Sequence, residues 1–147
     1  DPTGLDPLPD VTVTVTPEVR GGRVLVLAVE VANAGAADVA VLPLDDARGG
    51  PDGDGYRVAN LRTVGVDGDD SPPQVEAVVV AAGSTVSMEK RFGEPSPLPT
   101  TVTVCLEGEV LTGGPAPSDD DPPTVRLGPR GDEARVACSD ATPVPGS

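Results

Sequence analysis

The 147-residue chain has no histidine and no tryptophan, and one each of phenylalanine, tyrosine, methionine and lysine. Without imidazole it lacks the commonest general base, the usual partner of a nucleophilic serine or cysteine, and the usual nitrogen ligand for zinc or copper. With so few aromatic rings it has no stacking platform for sugars or bases. Basic residues are scarce too: 10 Lys and Arg stand against 24 Asp and Glu, for a net charge of −14 and a pI near 4.1. Phosphate backbones and anionic membrane surfaces need clustered positive charge, so a nucleic-acid partner is excluded. No apolar run approaches the ~18 residues of a membrane span, so direct membrane insertion is not expected.

A core with almost no aromatics must be built from Val, Leu and Ala. Valine is β-branched and packs well on a pleated surface, which points to strands. Glycine and proline, 18 each, cluster between the valine-rich runs, as turns between strands do. The stretch Val11–Thr16 reads VTVTVT, with Val11, Val13 and Val15 on one face and three threonines on the other. In Arg23–Asn33, Leu25, Leu27, Val29 and Val31 form one apolar face while Val24, Val26 and Ala28 make the other apolar too, the mark of a central strand. A third strand is expected around Val39 and Val41, ending or lying on an edge at Pro43, which has no N–H to give to a ladder.

Further strands are expected in YRVANLRTVGV, in two segments around the turn Ala82-Gly83-Ser84, in TTVTVCLEGEV, in TVRL and in EARVAC. Seven to nine short strands with no helical period predict an all-β fold, a single antiparallel immunoglobulin-like β-sandwich over 11–140; a small barrel is the alternative. Residues 111–123 read as a long Pro/Asp loop. Residues 1–10 and 141–147, proline-rich and polar, read as a linker and a tail of an ectodomain or secreted protein whose anchor or signal lies outside this stretch.

Cys105 and Cys138, the only cysteines, both fall in strand-like segments and predict one disulfide in an oxidising compartment, the alternative being two buried thiols. The bridge would close a loop of about 34 residues and contribute about 3–4 kcal/mol in the chain-entropy model. Cys105 alternates with the face of Val102, Val104 and Leu106, which places the bridge on an outer face or sheet edge.

Acidic loops are the candidate metal sites. From Asp52, an EF-hand register puts Asp54 third but Tyr56 fifth, Arg57 sixth and Thr63 twelfth, so the template fails. GGPDGD, residues 49–54, is one imperfect copy of a calcium β-roll repeat, which needs several. A looser calcium site would bring Asp52 and Asp54 together with Asp67, Asp69 or Asp70 across a strand of about ten residues, whose ends lie ~30 Å apart unless it bends. Solvated turns are the expected reading, with no metal and no cofactor. Three adjacent aspartates in PSDDDPP repel one another and read as an exposed loop. No acidic pair sits in an apolar setting that would raise the pKa of one member, as a general acid requires, so no enzyme is expected. Tyr56, the only phenol, is expected to anchor its loop on the sheet.

The stretches VEVANAGAADVAV (Val29, Val31, Asn33, Gly35, Asp38, Val39, Val41) and VVVAAGSTVSMEKRF with its Ala82-Gly83-Ser84 turn resemble the immunoglobulin-like bacterial surface modules typified by CARDB domains. The resemblance covers Val11 to Phe92. It implies an extracytoplasmic spacer, adhesion or accessory module with a protein or cell-wall partner, and it carries no catalytic residues. Those modules often place an aromatic after the third strand, where this chain has Leu42-Pro43-Leu44. Its Ala/Gly/Pro/Asp-rich, Arg-over-Lys composition matches a GC-rich genome and leads us to expect an actinobacterial source. A ligand- or calcium-binding sensor ectodomain is the alternative function.

Overall fold

A computed structural model describes residues 6–21, 24–44, 47–52, 55–61, 75–92, 99–111, 123–127 and 134–144. The described residues form an all-β sandwich of eleven strands: β1 (Val11–Arg20), β2 (Val24–Asn33), β3 (Val39–Val41), β4 (Arg48–Asp52), β5 (Gly55–Asn60), β6 (Val75–Val80), β7 (Thr85–Arg91), β8 (Thr101–Val110), β9 (Thr124–Leu127), β10 (Arg135–Cys138) and β11 (Thr142–Pro143). The count exceeds the expected seven to nine, mainly because the Gly/Pro/Asp stretch after β3 forms the hairpin β4–β5 and Thr142–Pro143 adds a short strand.

The smaller sheet is antiparallel, in the order β1-β2-β7, so β2 is central as its two apolar faces required. Val13 and Val15 are buried while Thr12, Thr14 and Thr16 are exposed, following the alternation of the sequence. Strand β1 continues through Pro17. The Ala34 N–H donates to the Asp10 carbonyl at 2.8 Å, which fixes even-numbered residues of β1 as those whose backbone groups face β2. Pro17, an odd position, therefore turns its missing N–H to the free edge of the sheet, where a proline costs no ladder bond and discourages pairing by another strand.

The larger sheet is organised around β8. Its residues Val102–Leu106 pair with β5 in parallel, and Gly108–Val110 pair antiparallel with β3. Cys105–Gly108 also pair with β10, and Thr101–Val102 with β11. Because Cys105 and Leu106 are paired to both β5 and β10, and Gly108 to both β3 and β10, strands β5 and β3 follow one another along one edge of β8 while β10 and β11 occupy the opposite edge. Strand β6 extends the sheet beyond β3, and β9 beyond β6. Pro43 ends β3, as expected, but β3 is interior to the sheet. A Cβ on Gly108 would collide with the Ala40 carbonyl oxygen and lie 3.1 Å from Val41 Cγ1, so the approach of β3 to β8 needs glycine there.

Between the sheets lies one apolar cluster that includes Val13, Val15, Leu25, Leu27, Val29 and Val31 from the small sheet and Val39, Val41, Val58, Val80, Val102, Val104 and Leu106 from the large one. A second cluster, with Ala40, Leu42, Ala77, Val79, Val125 and Leu127, occupies the outer face of the large sheet. Parts of the segments read as linker and tail are packed as well. Pro7 bridges to Val136, and Leu8 and Val144 are buried in the core and donate their N–H groups to the carbonyls of Val136 and Thr100, so both proline-rich ends are held down.

The chain changes sheets three times, after β2, β6 and β7, and the first two crossings are tied together at one end of the sandwich. After β2, the turn 34–38 leads into β3; after β6, the turn 81–84 leads into β7, with Gly83 at φ 76°. Asn33, 2% exposed, donates from Nδ2 to the carbonyls of Ala37 (2.8 Å) and Val80 (3.0 Å), and its Oδ1 accepts from the Gly35 N–H at 2.9 Å. Its backbone accepts from Gly83 and donates to Ser84, and Asp38 Oδ1 accepts from the Ala82 N–H at 3.0 Å.

Replacing Asn33 by Ala should leave the buried Val80 carbonyl and the part-buried Ala37 carbonyl without their donor and cost about 1–3 kcal/mol. Asn33→Asp, which sets an acceptor against acceptors, should cost more than Asn33→Ala, and Thr14→Ala on the exposed face should stay within about 0.5 kcal/mol. Urea unfolding of the three variants measures this order.

Candidate functional site

The residues with the most chemistry to offer fall in two places. The first is the disulfide. Cys105 on β8 and Cys138 on β10 are directly opposed in the antiparallel register, with Cα atoms 4.0 Å apart and the sulfurs bonded. The bridge lies on the outer face of the large sheet, opposite the core side chains Val104, Leu106 and Ala137, as the alternation of β8 required. Its two ends differ in surroundings. Cys105 is 2% exposed, whereas Cys138 is exposed.

The second place is the open side of the sandwich where the end of β7 meets the β4–β5 hairpin. The only tyrosine, the only phenylalanine and the only lysine meet there. Tyr56 and Phe92 rings pack edge to face, 6.3 Å between centroids with 73° between planes, a favoured aromatic geometry. Lys90 Nζ stands 5.3 Å from the centre of the Phe92 ring and donates to the Ala47 carbonyl at 2.7 Å. Burial alternates along β7, with Val86, Met88 and Lys90 half-buried on the inward side, so Lys90 reaches this corner by strand periodicity alone. Across the hairpin, Gly49 lies beneath Tyr56; a Cβ at Gly49 would fall within the phenol ring. The expectation that Tyr56 anchors its segment is met in this form, an aromatic ring covering a cross-strand glycine.

Arg20 pairs with Glu18 at 3.2 Å and reaches Glu89 at 3.9 Å on the exposed face of the small sheet, where such pairs contribute ~0–1 kcal/mol.

Of the acidic candidates, Asp52 is the last residue of β4, in register with Gly55; Asp54, Asp67, Asp69 and Asp70 lie outside the described residues. Among the described residues no group of three or more His, Cys, Asp or Glu side chains forms a metal centre, and no helix is long and apolar enough to cross a membrane. Sequence reasoning missed Glu107, fully buried on the outer face of β8 two residues from Cys105. It also missed Ser139, whose Oγ accepts from the Val104 N–H at 2.9 Å where a ladder carbonyl would stand. No protein-family model, characterised protein or solved structure matches the chain.

Gly49→Ala should therefore push Tyr56 off its seat and destabilise the protein by about 1–3 kcal/mol. The neighbouring Gly50, where an added Cβ meets nothing within 4 Å, serves as control: Gly50→Ala should change stability by less than about 0.5 kcal/mol. Thermal denaturation of both variants, with Tyr56 fluorescence as a local probe, gives the comparison.

Proposed function

We propose that the chain is a non-catalytic immunoglobulin-like module of a secreted or envelope-anchored bacterial protein, a spacer, adhesion or protein-interaction domain whose partner is a protein or cell-wall component. The observation that supports this reading is where the rare side chains go. Tyr56, Phe92 and Lys90 engage one another and the Gly49 and Ala47 backbone, the cysteines bond to each other, and Asn33 ties the turns. Among the described residues, these rare side chains are committed to the framework.

The disulfide belongs to an oxidising environment, since cytosolic thiols are kept reduced. Strong negative charge keeps such a module soluble and monomeric. The likeness of the Val29–Val41 and Val78–Phe92 stretches to CARDB-type modules fits the same assignment.

Millimolar calcium should leave the melting temperature within about 1 °C of its value in chelator, whereas a site filled at 100-fold above its Kd would add about 2.7 kcal/mol of stability. A rise of several degrees would replace the spacer reading with a calcium-binding ectodomain. Thiol titration of the exported protein under denaturing, non-reducing conditions should find no free cysteine; two free thiols would remove the case for an extracytoplasmic site.

A further inference from the structure

We propose that the Cys105–Cys138 bridge is a thiol-exchange site in the folded protein, open to small thiols at one sulfur only. Thiol–disulfide exchange proceeds by attack of a thiolate on one sulfur along the line of the S–S bond, and access decides which sulfur is attacked. Cys138 is exposed near the end of β10. Cys105 is 2% exposed in the middle of β8, flanked by Ala59 of β5 on one side and Cys138 on the other. A thiolate approaching from solvent reaches the Cys138 sulfur.

The step is balanced without any further oxidant or reductant. The incoming thiolate RS⁻ forms an S–S bond with Cys138 Sγ, and the electron pair of the old bond leaves on Cys105 Sγ as a thiolate. Cys105 stays opposite the adduct, so it reverses the step by attacking Cys138 Sγ and expelling RS⁻ when the external thiol is withdrawn. Cys138 is the modified sulfur and Cys105 the resolving one.

For the exchange to be reversible, the strands must stay together when the bond opens, and the ladder around it provides for that. Ser139 N–H donates to the Val104 carbonyl at 2.8 Å and Ser139 Oγ accepts from Val104 N–H at 2.9 Å, next to the bridge on the β8 side. On its other edge β10 is held by Leu8 N–H to Val136 O and Val136 N–H to Asp6 O, both 2.9 Å. Val136 and Ala137 are buried, at 2% and 4% exposure. Strand β10 is thus clamped on both edges by non-covalent contacts, and cutting the bond leaves it seated.

The test uses the purified, oxidised full chain with excess 2-mercaptoethanol under native conditions, quenched in acid, alkylated and mapped by peptide mass spectrometry. The expected product carries mercaptoethanol on Cys138, with Cys105 alkylated only after denaturation and the far-UV circular dichroism unchanged. Adducts on Cys105 in comparable yield, or adducts that form only as the circular dichroism signal is lost, would overturn the proposal. Single variants give a second readout. In Cys105→Ser the remaining Cys138 should react with an aromatic disulfide reagent as an exposed thiol does, while in Cys138→Ser the remaining Cys105 should react on the order of 100-fold more slowly, through local opening only. Equal rates in the two variants would refute the asymmetry.

Discussion

Asn33 is the interaction on which the sandwich turns. A two-layer β structure exists only if the chain passes from one sheet to the other, and here it does so twice at the same end, after β2 and after β6. Both crossings leave backbone groups that neither sheet can pair. One amide side chain satisfies three of them, from Ala37, Val80 and Gly35, while its own backbone closes on Gly83 and Ser84. An amide is the side chain for this, carrying two donors and an acceptor at the length required. With this corner set, the inward faces of β2 and β6 are held opposite one another, and the valine core follows.

The second organising constraint is that β8 has no free edge over most of its length. Four strands, β3, β5, β10 and β11, hydrogen-bond to it, and each brings a different part of the chain. Gly108 marks the tightest approach, at the Ala40 carbonyl. The two edges of the small sheet are managed locally, by Pro17 on β1 and by the charges of Glu89 and Arg91 on β7, in keeping with the means by which natural sheets avoid pairing with other molecules.

Much of this was legible in the residues. The alternation of Val11–Thr16, the two apolar faces of β2, the turn at Ala82–Ser84 and the outward placement of Cys105 are local patterns, and local patterns survive folding when one face must be buried. What could not be read depends on partners distant in sequence. Arg48–Asp52 has the composition of a turn, Gly, Pro and Asp, and becomes a strand because Tyr56 covers Gly49 from the facing strand. The parallel pairing of β5 with β8 leaves no local trace, since parallel register needs no turn between the strands. Leu8 and Val144 looked like stray apolar residues in linkers, and only the core that receives them explains them. The Gly/Pro/Asp stretch after β3 changes its meaning in the same way: it forms a hairpin, and Gly49 serves ring packing.

The position of β8 also fixes an order of assembly. Strands β1 and β2 are neighbours in sequence and pair through a tight connection, so the small sheet can begin as soon as residue 33 exists. Strand β5 can form its hairpin with β4 and β3 can meet β6, but the edge that each gives to β8 stays open until Thr101 is made. During synthesis or translocation those edges stay open for about forty residues after β5 and about sixty after β3, and closing loops of that length slows β-topologies. For this chain the rate of folding is set late, by the arrival of one strand, and that interval is when a chaperone or a protease would find it.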